Sequence, residues 1–420
     1  MESQPRKHDI LILGGGIIGL ACAYYLLKSG RGVTILERNT LASGSSHGNC
    51  GTITPSHAPP LSQPGTVAKA LKWMLTPDAP FRVAPRLDFE LFGWMLQFAR
   101  RCNWRDYHRL ARAKGPLLLH SRDLLGELVR RETLDCEYAE SGTIYVHRDE
   151  AAFEAASFLP KTLADCGIVM QRIDAARCRT MEPALNDSIV GGYWNPGDTR
   201  LRPDRYAEEL ARVVKALGGD VRESTAITGF RQGRDRIDAV LTDRGEFAAD
   251  EVVFALGSWS PQLARQLGLR IPIQPGKGYS ITYTQPARAP RIPLTLRERS
   301  VCVTSWDSGY RLGSTMEFAG YDASLNRARL DALRRGAAEY LVEPEGPAVI
   351  EEWYGWRPMT YDDLPIIGRT AKWKNLMLAT GHSMLGVTMS AATGELVAQL
   401  FAGGDTALDA ATFSPGRFGL

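Results

Sequence analysis

The sequence predicts an α/β protein of two parts, the first built on a parallel sheet and the second, of the α+β class, on a mostly antiparallel sheet. Three observations support this prediction. The length of 420 residues favours two domains over one. The first 37 residues read as strand, glycine turn, helix and strand, which is how a parallel sheet begins. Residues 142–146 and 301–304 alternate in polarity, as antiparallel strands do.

The composition indicates a chain with a sizeable core, since 44% of the residues are apolar and 23% are charged. The 50 Lys and Arg residues nearly balance the 47 Asp and Glu residues, and a net charge of +3 provides no basis for binding nucleic acid. The seven cysteines are widely spaced and include no C-x-x-C pair, which argues against a disulfide framework and against a metal site. We therefore expect a reducing, cytoplasmic setting.

The uncharged residues 10–27 imitate a signal peptide. Their glycine-rich turn is poor material for an export signal or a membrane span, and no small-residue cleavage site follows. We expect neither export nor a spanning helix.

The N-terminal segment carries a dinucleotide-binding pattern. Ile10–Leu13 and Val33–Leu36 are continuous apolar runs, typical of strands buried on both faces. Between them, Gly14-Gly15-Gly16-Ile17-Ile18-Gly19 matches G-x-G-x-x-G and opens a helix that runs through Leu27. The strand before the motif and the helix after it make this match more specific than the glycine pattern alone.

Each part of this pattern has a physical role at a cofactor pyrophosphate. Gly14 permits the tight turn, Gly16 lets the backbone approach the phosphates, and Gly19 lets the helix pack close to the strand. The helix N-terminus offers free N–H groups to the phosphates. Glu37, at the end of the second strand, is placed to accept a hydrogen bond from a ribose hydroxyl. NAD and FAD share an adenosine diphosphate, so this unit leaves the choice between them open.

A run of small and hydrogen-bonding residues, Ser43 to Gly51, follows soon after Glu37. Such a chain can wrap a second phosphate or line a flat ring, and the alternative is an ordinary solvent loop. Its position directly after the acid-bearing strand favours the cofactor.

Several separated segments resemble the D-amino acid oxidase superfamily of FAD-dependent amine dehydrogenases and oxidases, and within it the small subunits of bacterial D-amino acid dehydrogenases. The resemblance covers nearly the whole chain, with its segments in the right order. The segments that carry it are Gly14–Gly19 with Glu37, Ser45–Gly51, Phe254–Pro261, Pro275–Tyr279, Gly355–Thr360, Pro365–Gly368 and Ala379–Met389.

The resemblance implies a Rossmann-type FAD-binding domain formed by residues 1–55, 195–270 and 353–420, and a substrate domain formed by residues 56–194 and 271–352. It implies non-covalent FAD, because the Cys that carries the flavin in the sarcosine-oxidase branch has no counterpart in the Gly355–Thr360 segment. Attachment to His47 or Cys50 stays open as an alternative. The residues expected to bind the cofactor are Gly14, Gly16, Ile17, Ile18, Gly19, Glu37, Arg38, Ser45, Ser46, His47, Asn49, Cys50, Gly51, Ile227, Gly257, Trp259, Arg357, Gly381, His382, Leu385 and Gly386.

The resemblance also implies that Arg357 binds the substrate carboxylate, as the Arg of this Gly-x-Arg-Pro motif does in relatives that act on amino acids. A guanidinium binds a carboxylate in bidentate fashion and stays charged at any working pH. The alternative is a structural ion pair with Asp362 or Asp363. Tyr279 is a second candidate for substrate binding, against a packing role. For His382, a flavin contact and a bond to loop backbone stand as alternatives.

The reaction implied is oxidative deamination of amino acids, chiefly D-amino acids and including D-proline or hydroxyproline types. The cofactor carries the hard step, a hydride transfer from Cα to flavin N5, so no catalytic side chain is required. The imine then hydrolyses to a 2-oxo acid. Arg311 stands where the oxidase branch has its oxygen-activating Lys, which favours a quinone or electron-transfer partner over oxygen. Alternatives are an oxygen-using glycine or sarcosine oxidase, and a flavoprotein subunit active only with partner proteins.

Residues 66–105 are rich in Trp, Phe, Met and Leu and include Arg100-Arg101. One interpretation is a surface helix that docks on the inner face of the cytoplasmic membrane and passes electrons to quinone, as the resemblance allows. The other is a helix that faces the core or another subunit. Apolar spacing predicts helices over residues 88–101 and 325–342.

Overall fold

The computed structural model describes residues 7–74 and 79–420. Met1–Arg6, which the predicted first domain includes, and Leu75–Asp78, within the aromatic stretch, lie outside the described residues. The strands are β1 (Lys7–Leu13), β2 (Val33–Leu36), β3 (Thr52–Ile53), β4 (Phe81–Val83), β5 (Thr143–His147), β6 (Gln171–Asp174), β7 (Gly191–Asn195), β8 (Thr199–Arg200), β9 (Asp220–Arg222), β10 (Ile227–Gln232), β11 (Ile237–Thr242), β12 (Gly245–Phe254), β13 (Ile273–Tyr283), β14 (Leu294–Leu296), β15 (Val301–Trp306), β16 (Gly309–Phe318), β17 (Val349–Thr360), β18 (Ile366–Arg369) and β19 (Leu376–Thr380).

The helices connect and cover these strands. They are α1 (Ile17–Lys28), α2 (Thr66–Met74), α3 (Phe89–Arg101), α4 (Trp104–Arg131), α5 (Glu150–Ala155), α6 (Leu159–Ala164), α7 (Ala175–Met181), α8 (Pro203–Ala216), α9 (Ser260–Gln266), α10 (Arg327–Ala338), α11 (Gly386–Ala402) and α12 (Ala410–Phe413).

The first sheet has a parallel centre. Strand β1 pairs in parallel with β2 and β12, β2 pairs with β9, and β12 pairs with β19. Strands β10 and β11 extend the sheet as an antiparallel meander with β12, and β18 pairs antiparallel with β19. This arrangement confirms the predicted α/β fold with a Rossmann-type N-terminal unit.

The continuous apolar strands follow from burial on both faces of this sheet. Ile10 and Ile12 of β1 belong to the core that includes residues of α1, α8 and α11. Leu11 and Leu13, whose side chains point the other way, belong to the core beside β10, β11 and α9. A strand covered on both faces buries every second residue on each side, so neither face retains polar side chains.

The second sheet is mostly antiparallel, as predicted. Its strand order is β17-β13-β16-β15-β14-β5-β7-β6, with β4 added beside β16. The pairs β14–β5 and β16–β4 are parallel, and the other pairs are antiparallel. Helix α10 packs on one face through Leu330 and Leu333. Residues of β13, β15, β16 and β17 line a cavity that residues of the first sheet also line.

The predicted helices are present with shifted ends. The helix predicted over residues 88–101 is α3, and Asp88 caps it by accepting a hydrogen bond from the backbone of Leu91 at 2.9 Å. The helix predicted over residues 325–342 is α10, which begins and ends within that range.

Two predicted domain boundaries cut through strands, since the boundary at residue 195 separates the last residue of β7 from that strand and the boundary at residue 353 divides β17. Residues 353–360 were assigned to the cofactor domain, but they belong to β17, which pairs with β13 along its length in the second sheet. The assignment followed the motif's expected place beside the flavin, whereas the backbone hydrogen bonds join this segment to the other sheet. The remaining boundaries stay predictions.

Candidate functional site

A large cavity lies between the two sheets. Its volume is about 1310 Å³, above the roughly 300–1,000 Å³ of an ordinary small-molecule site. The glycine turn after β1, the loop after β2 and the N-terminus of α11 line it from the first sheet. Strands β13, β15, β16 and β17 line it from the second. The space suits a dinucleotide together with a small substrate.

The glycine turn brings backbone to the cavity at one end. Gly14 has a φ of +103°, and a Cβ there would lie 2.6 Å from the carbonyl oxygen of Ala255. A Cβ on Gly19 would lie 2.0 Å from the carbonyl oxygen of Gly14, so only glycine lets α1 approach β1 this closely. Gly16 caps α1 without a side-chain hydrogen bond and lines the cavity. Backbone of this kind at a helix N-terminus is suited to an anion.

Glu37 faces this turn from the end of β2. Its Oε2 accepts from the backbone N–H of Gly15 at 2.8 Å, and its Oε1 accepts from that of Asn39 at 2.9 Å. Each carboxylate oxygen keeps a second acceptor position for a ribose hydroxyl. The guanidinium of Arg38 stacks over the ring of Trp259 at 4.1 Å, and both residues line the cavity.

The loop after Glu37 is held by the second sheet. The hydroxyl of Ser45 donates to the carbonyl oxygen of Trp356, and Arg311 donates to the carbonyl oxygens of His47 at 3.0 Å and Asn49 at 2.7 Å. Arg311 is 1% exposed and does not line the cavity. Arg311 therefore holds the loop in place through hydrogen bonds to its carbonyl oxygens.

His47 does not line the cavity, contrary to its predicted place beside the cofactor. Its Nε2 lies 2.8 Å from Oε1 of Glu351. This hydrogen bond is the main reason why the pKa of His47 is raised above 6.5. The ring of His47 therefore points to β17, while its carbonyl oxygen accepts from Arg311.

The loop before α11 closes the cavity from the C-terminal side. The Nε2 of His382 lies 3.0 Å from the hydroxyl of Thr393, and burial lowers the pKa of His382 to about 3. The imidazole is therefore neutral at working pH. Leu385 and Gly386 at the start of α11 line the cavity, and the helix has no side-chain cap. Its free N–H groups favour negative charge at this position.

Arg357 reaches into the cavity from β17. Its Nη1 donates to the carbonyl oxygen of Thr315 at 2.8 Å, and its Nη2 makes a longer contact of 3.4 Å with that of Ser314. The guanidinium lies over Gly278, where a Cβ would come within 2.1 Å of Nη1. Burial lowers the pKa of Arg357, but from a value so high that it stays charged.

No carboxylate among the described residues pairs with Arg357. The two acids considered as partners have other cations, since Asp363 lies 2.6 Å from Lys114 and Asp362 lies 2.9 Å from Arg417. A half-buried cation without a protein counter-charge is a strong attractor for an anionic ligand.

Tyr279 also lines the cavity, but its hydroxyl has a partner. It donates to Oε2 of Glu317 at 2.6 Å, and the side chain is 1% exposed within the core beneath the sheet. The proton of this hydroxyl is therefore unavailable to a substrate carboxylate, which leaves packing as the better-supported role for Tyr279.

Two thiols face each other beside Arg357. Cys50 and Cys302 are free, both line the cavity, and each influences the pKa of the other. The neighbouring Cys302 thiol and the charges of Arg311 and Arg357 lower the pKa of Cys50, while Cys50 and burial raise the pKa of Cys302. The sequence did not single out Cys302, because its partner lies far away in the chain.

The structure brings most of the predicted site residues to one cavity. Four of the predicted residues do not line this cavity, namely Gly19, His47, Gly51 and Gly381. Those that do line it are Gly14, Gly16, Ile17, Ile18, Glu37, Arg38, Ser45, Ser46, Asn49, Cys50, Ile227, Gly257, Trp259, Tyr279, Arg357, His382, Leu385 and Gly386. His57 was missed, because nothing in its local sequence distinguishes it.

The chemistry of the lining fits a flavin dinucleotide. One end offers backbone N–H groups and Glu37, and the middle offers buried hydroxyls of Thr315 and Ser383 that lack hydrogen-bond partners among the described residues. The start of α11 supplies the positive end of a helix dipole, which suits a ring that becomes negative on reduction.

Comparisons with known proteins agree with this geometry. The family model described as FAD dependent oxidoreductase matches residues 9–400. D-amino acid dehydrogenase from Granulibacter bethesdensis is 34% identical over 415 residues, covering 97% of this chain and 99% of that protein. D-amino acid dehydrogenase from Methylobacterium nodulans is 33% identical over 401 residues, covering 94% and 95%.

Solved structures share the fold. Glycine oxidase from Geobacillus kaustophilus superposes with a TM-score of 0.80 at 24% identity, covering 97% of this chain and 98% of that one. L-proline dehydrogenase from P. horikoshii gives 0.75 at 21% identity, covering 99% and 98%. With the family match over most of the sequence, the chain belongs to the FAD dependent oxidoreductases and uses FAD as its cofactor.

Proposed function

We propose that this chain oxidises D-amino acids, including those of the proline type, to imines that hydrolyse to 2-oxo acids. The observation that carries the proposal is Arg357, a cation in the cavity wall with no carboxylate partner among the described residues. The names of the relatives, which are D-amino acid dehydrogenases, support it. Bound FAD supplies the hydride acceptor for Cα.

Arg357 would bind and orient the substrate. Two backbone carbonyls hold one side of the guanidinium, and Gly278 lies beneath its plane. The remaining N–H groups of the fork are available to a carboxylate in bidentate fashion. Fixing both carboxylate oxygens restricts Cα to a small region of the cavity, which is the positioning that a hydride transfer needs.

We assign the phosphates to the turn at Gly14 and Gly16, the ribose to Glu37, and the flavin ring to the region between the start of α11 and β17. Non-covalent binding is supported by the other partners of the two candidate attachment residues. His47 is paired with Glu351 outside the cavity, and Cys50 lies beside the thiol of Cys302. Release of FAD on denaturation, with an unmodified peptide mass, is the expected result.

The test of the proposed function is anaerobic. A panel of D- and L-amino acids is added to the purified holoenzyme, and the flavin absorbance is followed. Bleaching by D-amino acids is the expected result. Bleaching by L-amino acids alone would reverse the stereochemical assignment, and a flavin that no amino acid bleaches would contradict the proposed function.

We propose an electron acceptor other than oxygen, either a quinone or an electron-transfer partner. Arg311, at the position of the oxidases' lysine, is bound to Thr282 and to the loop carbonyls and supplies no ammonium to the cavity. Turnover with an artificial electron-accepting dye should therefore exceed turnover in air. Stoichiometric hydrogen peroxide under air would favour the oxidase alternative instead.

Peripheral membrane contact is a further part of this proposal. Among the described residues, no helix has the length and apolar character that a membrane span requires. Leu91 and Trp94 of α3 face the core, but Leu71 of α2 and Phe92 and Leu96 of α3 are 60%, 51% and 53% exposed. These two helices line one end of the cavity and carry basic side chains at Lys69 and Arg100. Apolar and basic groups together suit an anionic lipid surface.

Vesicle sedimentation tests this contact. Holoenzyme should sediment with anionic vesicles more than with neutral ones, and Leu71→Ser with Phe92→Ser should abolish the difference. Ile350→Ser, which changes a residue of 54% exposure on β17, is the matched control. Equal loss with Ile350→Ser, or no sedimentation at all, would contradict the membrane contact.

A further inference from the structure

A buried chain of hydrogen bonds leads from the cavity wall into the protein. His57 lines the cavity, and its Nδ1 lies 3.0 Å from the hydroxyl of Tyr145. That hydroxyl lies 2.9 Å from Oγ of Ser56, which donates at 2.5 Å to Oδ2 of Asp198. Tyr145, the most exposed of these last three residues, is only 4% exposed. The chain joins a cavity-facing imidazole to a buried carboxylate.

The number of hydroxyl protons determines which group donates in each hydrogen bond of this chain. Asp198 also accepts from the backbone N–H of Ser56 at 3.1 Å and from the hydroxyl of Thr143 at 2.6 Å, as an ionised carboxylate does. Because Ser56 gives its one hydroxyl proton to Asp198, Tyr145 must donate to Ser56. The oxygen of Tyr145 then accepts, and the proton of His57 must reside on Nδ1.

In this tautomer Nε2 of His57 carries a lone pair that points away from the chain of hydrogen bonds. No described residue is hydrogen-bonded to Nε2, and the side chain is half-buried at the cavity wall. The imidazole therefore offers the cavity a hydrogen-bond and proton acceptor whose orientation is set by the buried carboxylate.

Burial is the main reason why a proton is favoured on Asp198 over His57. Burial, helped by the charges of Arg297 and Lys114, lowers the pKa of His57 to about 3. Burial raises the pKa of Asp198 to about 6, although its hydrogen bonds and Arg122 oppose the rise. A proton that enters at His57 is therefore more stable at the far end of the chain.

The second sheet connects this chain of hydrogen bonds with the cavity wall near Arg357, where we propose that substrate binds. Tyr145, Thr295 and Cys302 are direct partners on adjacent strands, so Tyr145 and Cys302 are about 10 Å apart at the backbone. Cys302 lies beside Cys50, whose pKa responds to Arg357. The chain of hydrogen bonds therefore begins in the same part of the cavity wall as the two thiols.

We propose that His57, Tyr145, Ser56 and Asp198 form a proton relay that deprotonates the substrate's ammonium group before its oxidation. The proposal rests on the proposed function, because hydride leaves Cα readily only when the nitrogen lone pair is free. An ammonium N–H bond breaks, and its proton binds Nε2 of His57.

The remaining steps keep the proton count unchanged. Nδ1 of His57 gives its proton to Tyr145, Tyr145 gives its own to Ser56, and Ser56 gives its own to Asp198. The result is a neutral amine, a neutral Asp198 and a His57 that carries its proton on Nε2. After product release these transfers run in reverse, Nε2 of His57 gives its proton to water, and the starting state is restored.

The first test measures the tautomer directly. The holoenzyme is labelled with ¹⁵N-histidine, and the His57 signals are assigned by their loss in His57→Gln. Wild type should carry the proton on Nδ1 at neutral pH, and Ser56→Ala and Asp198→Asn should lose that preference. A proton on Nε2 in wild type, or an unchanged tautomer in Ser56→Ala, would overturn the relay.

The second test measures reduction of the flavin by substrate without oxygen. Tyr145→Phe, which removes one hydroxyl, should slow the limiting rate about 10- to 100-fold while changing substrate affinity little. The rate should recover at alkaline pH, where the substrate arrives as the free amine. A purely structural defect would not recover in this way.

Tyr193→Phe is the matched control. Tyr193 pairs directly with Tyr145 on the next strand, and its buried hydroxyl donates to the carbonyl oxygen of Phe153 at 2.9 Å, outside the relay. The limiting rate of flavin reduction in Tyr193→Phe should equal that of wild type. If Tyr145→Phe reduces its flavin as fast as wild type, the relay is refuted and the proposed function stands. If no amino acid reduces the flavin, the proposed function is refuted, and the tautomer of His57 can still be measured.

Discussion

The two walls of the cavity are built in different ways. The first, from β1 through Glu37, is a continuous segment whose backbone makes the site, with glycines that leave room for phosphate. The second joins residues from β13, β15, β16 and β17, and it uses a side chain, Arg357, held by distant carbonyls. Local sequence predicts the first wall in detail, whereas the second depends on strand pairing.

The largest expected effect breaks the first wall. Gly19→Ala places a Cβ 2.0 Å from the carbonyl oxygen of Gly14, so α1 must move away from β1. We expect protein without bound flavin, or no folded protein, as measured by the absorbance ratio at 450 and 280 nm. Gly44→Ala, with nothing within 4 Å of its Cβ, is the control and should retain flavin. Full flavin content in Gly19→Ala would refute the close-packing argument.

The second largest effect is expected from a substitution in the second wall that leaves the first wall unchanged. Arg357→Ala should retain FAD but lose about 100- to 1,000-fold in kcat/KM for amino acids, because it removes a charge-assisted bidentate contact. Arg357→Lys keeps the charge without the planar fork and should recover only part of the loss. Anaerobic flavin reduction against substrate concentration measures both variants. Wild-type kcat/KM in Arg357→Ala would exclude carboxylate binding by this residue.

The third effect concerns His382, on the cofactor side. Its pKa in the folded protein is about 3, against an ordinary 6.5, so the unfolded chain binds more protons between those values. Stability contributed by the neutral imidazole is therefore present above pH 6.5 and is lost as the pH falls toward 3. The free energy of unfolding should fall by about 2 kcal/mol more between pH 7 and 5 in wild type than in His382→Asn. Urea titrations at the two pH values measure this difference, and parallel losses would contradict it.

The smallest effect sharpens the comparison at the second wall. Gly278→Ala places a Cβ 2.1 Å from Nη1 of Arg357 and must displace the guanidinium, while the fold around the flavin is unchanged. We expect KM for the amino acid to rise about 10-fold with flavin content unaltered, since misplacement by an ångström is costly. Gly229→Ala, on β10 away from the cavity, serves as the control in steady-state assays. An unchanged KM would show that the guanidinium tolerates the shift.

The membrane interpretation shows where periodicity stops being informative. The apolar spacing of α3 favours a core helix over a surface helix, and the structure divides its residues between the two. Leu91 and Trp94 are buried, whereas Phe89 is 86% exposed. A helix that is apolar on several faces does not reveal which face its neighbours cover.

The sequence by itself determined the Rossmann-type unit and the two classes of sheet, and it predicted a role for Arg357. These features depend on contiguous backbone geometry, on apolar periodicity, or on a motif with a strong resemblance. Only the tertiary structure decided that Asp362 and Asp363 already have cationic partners, and that His47 points away from the cavity.

The relay is the clearest case of this limit. His57, Tyr145 and Asp198 are separated by dozens of residues, and each is unremarkable in its own segment. Their hydrogen bonds exist because β5 and the turns around it converge on one buried point. Side-chain partnerships over such separations are set by the packing of sheets and loops, which local sequence does not encode.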